Sequence, residues 1–264
     1  MEARLHSLLI DPLTVDLLLT CIYAAAADRS NLALLPGCPI SMNNIRAVID
    51  SFPSLTSLSS TRDLRAAVRG GNDGYSKDRE DLLSWLCLTF RGFMVAAPVG
   101  FRIPAMPGTL QFLLLNSHRE REQLFAQECA AGGGSGAVFH GTQISRLFPI
   151  LTEGLKVMTN TNLMLHGGAS GIGIYCADDQ STSLGYSGST GQSWSQSQLS
   201  NFRIMLGCEL AAYTQMGVHV VNNENRLLVR YVFLLPQGYR TPPRHHVEQA
   251  MLTAFAQLRS GMLA

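Results

Sequence analysis

Charge is scarce in this sequence. Only 15% of its 264 residues are Asp, Glu, Lys or Arg, and the formal net charge is +1. With no basic excess to neutralise a long run of phosphates, a dedicated nucleic-acid binder is disfavoured, while a nucleotide-sized ligand stays compatible. None of the six cysteines lies in a CxxC pair, so the spacing of a metal site is missing. His245-His246 has no third ligand nearby, so no metal is expected. Single scattered thiols in an apolar chain point to buried side chains in a reducing, intracellular compartment, cytoplasm or nucleus. The first residues lack the basic region and apolar run of a signal peptide. The apolar run 15–27 is too short for a bilayer and is interrupted by Asp16, so no membrane anchor is expected. The glycines at 132–136 lack the Lys-Ser/Thr of a phosphate loop. No internal repeat is present.

What is there is apolar material, 46% of the chain, enough to bury a substantial core. Its texture changes partway. Up to residue 93 the pattern is helical: 15–27 capped by Thr14, a helix through Ile45, Val48 and Ile49 capped by Ser41, a short one after Ser60 or Thr61, and 78–93. The last carries too many large apolar residues for one stripe, so burial on more than one side is expected. Pro98, Gly100, Pro104, Pro107 and Gly108 mark a connector. Short β-like runs follow at 110–115, 137–140, 173–177, 203–210, 219–221 and 227–235, with helices expected at 117–129 and 144–153. This predicts an α+β fold with a mostly antiparallel sheet, preceded by a small all-helical domain. The expected division is a helical accessory domain at 1–108, a catalytic domain at 109–240, and a C-terminal helix or linker at 241–264 leading to a further domain. The polar loops 158–171 and 187–200 are long enough to be functional or mobile.

Two stretches carry chemistry. In Val138-Phe139-His140-Gly141-Thr142 an apolar strand ends in a histidine, and the glycine after it lets a ligand approach the backbone. In Gly171-Ile172-Gly173-Ile174-Tyr175-Cys176-Ala177 a glycine-closed loop enters a strand. Ser183 and Tyr186 follow three residues apart, on one helical face. A hydroxyl beside an aromatic ring suits a flat aromatic amide. Taken singly, each stretch is also what an ordinary turn, a core strand and a capped helix look like.

Taken in order, His-Gly-Thr, then Ile150-Leu151 and Gly154-Leu155, then Gly-x-Gly-Ile-Tyr-x-Ala with Ser183 and Tyr186 at their offsets, the sequence resembles the catalytic domain of the poly(ADP-ribose) polymerase family. Within that family the helical first half, its Asp-Leu-Leu-Ser-Trp-Leu stretch at 81–86, and Val220-Val221-Asn222-Asn223 resemble the small mono-ADP-ribosyltransferase branch. The resemblance implies a split-sheet ADP-ribosyltransferase fold that uses NAD as substrate and needs no metal. It implies that Gly141 and Ser183 hold the nicotinamide amide, that Tyr186 stacks on its ring, and that His140 and Tyr175 hold the riboses. Thr142 and Ala177 complete the cofactor-facing set, with Phe139 as platform.

One position departs from the pattern. Elongating members place a glutamate where a gapless alignment puts Val218; a slip of one residue would give His219 or Gly217, and none is a carboxylate. Glu209 reads as a strand residue and Glu224 as a turn residue. Valine neither accepts a proton nor binds a hydroxyl, so chain elongation is expected to be lost. The expectation is a protein mono-ADP-ribosyltransferase acting on protein side chains, its own included, with no nucleic acid as partner. The alternative is a catalytically silent NAD or ADP-ribose binding module. A transferase acting on RNA termini is disfavoured by the near-neutral charge.

Overall fold

Pro12 opens the first helix, α1 (Pro12–Ala25), because its missing N–H is one a helix start leaves unused anyway. The computed structural model describes residues 11–27, 34–55, 63, 66, 68–70, 73–117, 119–158, 171–188, 193–214 and 216–262. Asp11, rather than the expected Thr14, caps α1 by accepting the Leu13 N–H, and Thr14 bonds to the same carboxylate from inside the first turn. Next come α2 (Ile45–Asp50) and α3 (Ser76–Thr89). Ser41 lies a turn ahead of α2 and contributes its backbone carbonyl to Asn44 and Ile45. The expected cap at Ser60 or Thr61 falls outside the described residues.

The helix expected over 78–93 stops at Thr89. Phe90 turns extended, and Phe93 already begins a strand, β1 (Phe93–Ala96), that sequence reading did not separate from the helix. Phe93, the last residue of the expected helix, belongs instead to a strand paired with β2 (Leu110–Asn116). The remaining elements are α4 (Arg119–Gly132), β3 (Ser135–Gly141), α5 (Ile144–Glu153), β4 (Ile174–Ala177), α6 (Gln180–Leu184), β5 (Arg203–Ala211), β6 (Val218–Val221), β7 (Leu227–Leu235) and α7 (Arg244–Met262).

The strands form one seven-stranded sheet in the order β1-β2-β7-β5-β3-β4-β6, with every pair antiparallel. Side chains alternate between its faces. Val138, Ile204, Leu206, Cys208, Val232 and Leu234 point into a core shared with α1, α2, α3 and α5. Phe139, Met205, Tyr231, Phe233 and Leu235 point the other way, onto Val247, Met251 and Phe255 of α7. Helices thus cover both faces, and the strands read as near-continuous apolar runs.

Ladder lengths along the sheet are uneven. β5 pairs with β3 over residues 135–141, and with β7 over nearly its whole length. β3 and β4 share a single residue pair, Phe139 with Ala177. The sheet is therefore split at that junction. Behind it, β5 and β7 are locked by charge. Glu209 and Arg230 are buried, with Arg230 Nε 3.0 Å from Glu209 Oε2. The guanidinium forks onto Glu122 of α4 at 2.8 and 2.9 Å, and the Ser135 hydroxyl and Arg259 of α7 close on Glu209. Glu209 is a strand residue, and its carboxylate belongs to this cluster.

Arg230→Met should cost about 3–5 kcal/mol in urea unfolding, because it leaves a buried carboxylate short of its main partner. The double variant with Glu209→Met should recover most of that loss. A single variant as stable as the parent would show the cluster to be loosely coupled.

Candidate active site

β3 delivers His140 and Gly141 to the split, and β4 delivers Tyr175 from the other side. The His140 Nδ1–H donates to the Tyr175 carbonyl at 2.8 Å; a carbonyl can only accept, so this contact fixes the tautomer. Burial pushes the His140 ring below the usual histidine range, against the opposing pull of that hydrogen bond. The ring is therefore neutral near pH 7, and Nε2 carries a lone pair. The Tyr175 hydroxyl donates to the Gly171 carbonyl at 2.6 Å, which sets the strand entry.

α6 follows β4. Asp179 caps it by accepting the Thr182 N–H, and the helix ends in a turn laid against β3. The Ser183 hydroxyl donates to the Phe139 carbonyl at 2.9 Å, and the Gly188 N–H donates to the Thr142 carbonyl at 3.0 Å. Arg203 at the start of β5 holds the turn from below through the Ser187 and Leu184 carbonyls. That places a cation where a helix C-terminus favours one. Gly141 is needed for space: a Cβ there would lie 2.1 Å from the Ser183 carbonyl oxygen and 2.9 Å from Tyr186. Gly141, Thr142, Ser183 and Tyr186 thus form one nest, in which Ser183 and Thr142 are buried and Tyr186 is 54% exposed.

Ala177 stands opposite Phe139 on one side and opposite Val218 on the other. Val218 is 58% exposed, whereas its neighbour His219 is largely covered on the opposite face of β6. Of the two glutamates weighed for that position, Glu209 is buried in the ionic cluster. Glu224 pairs with Lys156 at 3.1 Å and accepts the Val157 N–H.

Sequence reasoning missed the partners that hold the site. The loop after the nest is tied to the helical half of the chain. Trp194 Nε1–H donates to Asp16 Oδ1 and the Gln198 N–H to Asp16 Oδ2, both at 2.8 Å. The Ser195 N–H donates to Asp50 at 2.7 Å. A lone carboxylate inside the apolar helix α1 was the available signal, since a buried charge requires partners. Asp178 and Arg203 left no comparable trace. Four of the free cysteines are buried as expected, while Cys38 and Cys129 are only half-buried.

Gly141→Ala should cost about 1–3 kcal/mol by overpacking the nest. Denaturant unfolding at unchanged far-UV circular dichroism measures it, and a neutral result would mean that the Ser183–Ser187 turn yields freely. Asp16 supplies a pH test. Burial raises its carboxyl above the ordinary value, outweighing its hydrogen bonds. A raised native pKa adds stability below the unfolded value of about 3.9, and that stability is lost as pH rises through the native value. The stability of the parent relative to Asp16→Asn should therefore fall with pH from about pH 4 upward. A difference that does not change with pH would overturn this.

Comparison with known proteins fits this geometry. The family model described as "Poly(ADP-ribose) polymerase catalytic domain" matches residues 115–214. The chain is 28% identical over 250 residues to human protein mono-ADP-ribosyltransferase PARP8, covering 82% of this chain and 29% of that protein. It is 32% identical over 170 residues to the mouse protein of the same name, covering 63% and 19%. The chain spans less than a third of the length of these curated relatives. Residues 115–214, which run from the end of β2 past β5 and contain the nest and the His140–Tyr175 junction, are thus the part of the chain that is similar to the poly(ADP-ribose) polymerase catalytic domain.

Proposed function

We propose that this chain binds NAD and transfers a single ADP-ribose to a protein side chain, releasing nicotinamide. The observation that carries this reading is the nest at the split: the Gly141 backbone, the Ser183 hydroxyl and the exposed Tyr186 ring, adjoining the His140–Tyr175 junction. The amide of nicotinamide bonds to Gly141 and Ser183, and Tyr186 stacks on the ring. A Cβ at position 141 would fill this cradle. His140 Nε2 accepts a ribose hydroxyl, Tyr175 flanks the ribose, and Thr142 and Ala177 wall the cleft.

The bond from the ribose anomeric carbon to the nicotinamide nitrogen breaks through an oxocarbenium-like centre, and neutral nicotinamide leaves with the bonding pair. An acceptor carboxylate then supplies the electron pair of the new ester bond, so no proton need move. Val218 offers no carboxylate at the rim, and neither nearby glutamate is free to replace one. Without a base to activate a ribose hydroxyl, the product is not extended. The acceptor is a protein, this chain included, rather than a nucleic acid.

Residues 1–108 act in this reading as an accessory unit to 109–240, attached through Asp16 and Asp50 and lending β1 to the sheet. Residues 241–264 form the C-terminal helix. An intracellular setting is the reading that six scattered cysteines without CxxC spacing suggest. No helix among the described residues is long and apolar enough to cross a membrane.

Incubation with NAD labelled in its adenylate should place label on protein at one ADP-ribose per site and release nicotinamide. His140→Ala should reduce both by roughly 10²-fold or more, since the sugar is no longer held for attack. The exposed, apolar Val218 favours one second reading, a silent NAD-binding module. Calorimetric NAD binding without label or nicotinamide release would establish that reading and overturn transfer.

A further inference from the structure

Asp178 directly follows β4, outside the residues that would touch NAD, and it is buried. A carboxylate there needs partners. Those partners converge on one segment. Oδ2 accepts the Gly217 N–H at 2.5 Å, Oδ1 meets His219 Nε2 at 2.8 Å, and the Asp178 N–H donates to the Gly217 carbonyl at 3.2 Å. Arg244 at the start of α7 approaches Oδ2 at 3.4 Å. One residue thus grips the chain on both sides of Val218, by main chain at 217 and by side chain at 219.

The grip matters because β6 is the last strand in the sheet order and, among the described residues, pairs only with β4 within the sheet. An edge strand has ladder bonds on one side alone, so its register is weakly fixed. Gly217 enters it at φ +131°, a conformation that side chains rarely adopt and that the ladder does not enforce. Behind the strand, the Tyr213 and His219 rings lie 5.3 Å apart. Arg244 Nη2 donates to the Tyr213 hydroxyl and to Glu248, both at 3.1 Å. Tyr213 rests on Gly136 of β3, where a Cβ would come within 2.4 Å of the ring. The cluster therefore ties β6 to the strand that carries His140, and to α7. Alternation puts His219 on the face away from Val218, so His219 acts through the strand rather than on the sugar.

We infer that Asp178 is a positioning residue for the transfer reaction: it fixes the rim at Val218 relative to Ala177 and Tyr175, where an acceptor must approach the ribose. This rests on the transfer reading, and it separates two functions of the site. The nicotinamide nest lies on α6 and β3 and shares none of the hydrogen bonds of the grip, so NAD affinity and turnover should part company.

The test uses the whole 264-residue chain. In Asp178→Ala, amide exchange at 217–221 should accelerate about tenfold or more while β5 and β7 keep their protection. The kcat for nicotinamide release should fall about tenfold with KM for NAD changed less than about twofold. Asp178→Asn keeps an acceptor for the Gly217 N–H and should restore part of both. Unchanged exchange at 217–221, acceleration throughout the sheet, or kcat and KM moving together overturns the inference. If the parent releases no nicotinamide, the transfer reading fails by itself, and exchange together with NAD titration calorimetry still decides whether Asp178 holds the rim independently of the nest.

Discussion

One imidazole hydrogen bond, from His140 Nδ1 to the Tyr175 carbonyl, spans the place where the sheet is closest to coming apart. On either side the ladders are long; between β3 and β4 they shrink to the pair Phe139–Ala177. A sheet of this size gains from continuous pairing, so a gap two strands from its edge is a cost that needs a reason. The gap leaves Gly141 without a β4 partner, in register with Met205 of β5 alone, and beside it the Tyr186 ring is 54% exposed. The histidine bridges the gap with a side chain, which holds the two halves at a fixed spacing without closing the space between them. Burial disfavours the charged ring, so Nε2 keeps its lone pair while Nδ1 makes the bridge.

The rest of the architecture can be understood as support for that gap. A split sheet cannot rely on its own ladder to resist shear, so rigidity comes from elsewhere. On the side of β5 and β7 it comes from Arg230, held between Glu209 and Glu122, with α7 closing the cluster through Arg259. Such buried charges contribute little net stability, yet they are expensive to misplace, which makes them effective at selecting one arrangement. On the side of β4 and β6 the corresponding group is Asp178. The turn carrying Ser183 and Tyr186 is pinned from beneath by Arg203. The loop beyond the nest is pinned from the helical half by Asp16 and Asp50. Carboxylates and guanidiniums thus sit at the junctions, and apolar side chains fill the layers between them.

What the sequence disclosed follows from how local each signal is. β7 and α5 were legible to the residue: β7 is an apolar run of strand length ended by Pro236, and α5 is a periodic stretch ended by Gly154. The candidate site residues stood out because His140 adjoins Gly141, and because Tyr175, Ser183 and Tyr186 keep fixed short offsets. The boundary at Thr89 was not legible, since Phe90 to Ala96 continues the apolar texture of α3 and only tertiary pairing with β2 makes it a strand. The cap at Asp11 was hidden for a related reason. Thr14 and Asp11 are both good caps, and the presence of Pro12 at the first helical position decides between them. The contact of Trp194 with Asp16 spans 178 positions, and nothing at either end names its partner.

Val218 is where local and long-range information meet. Its identity, read from sequence, removes a carboxylate from the rim; its placement, set by pairing with Ala177 and by the Asp178 grip, keeps the backbone there nonetheless. Behind Val218 stand a buried aspartate, a paired histidine and an arginine from α7. That investment of buried charge at an edge strand implies that the shape of the rim still matters. If the site transfers ADP-ribose as proposed, then without its own carboxylate shape is what remains to align an acceptor with the anomeric carbon. Each increment of alignment lowers the barrier by restricting motion rather than by moving protons. On the proposed reading, selectivity for the acceptor resides in the geometry of β6 and the surface around Val218, and the modified group supplies the carboxylate that position 218 lacks.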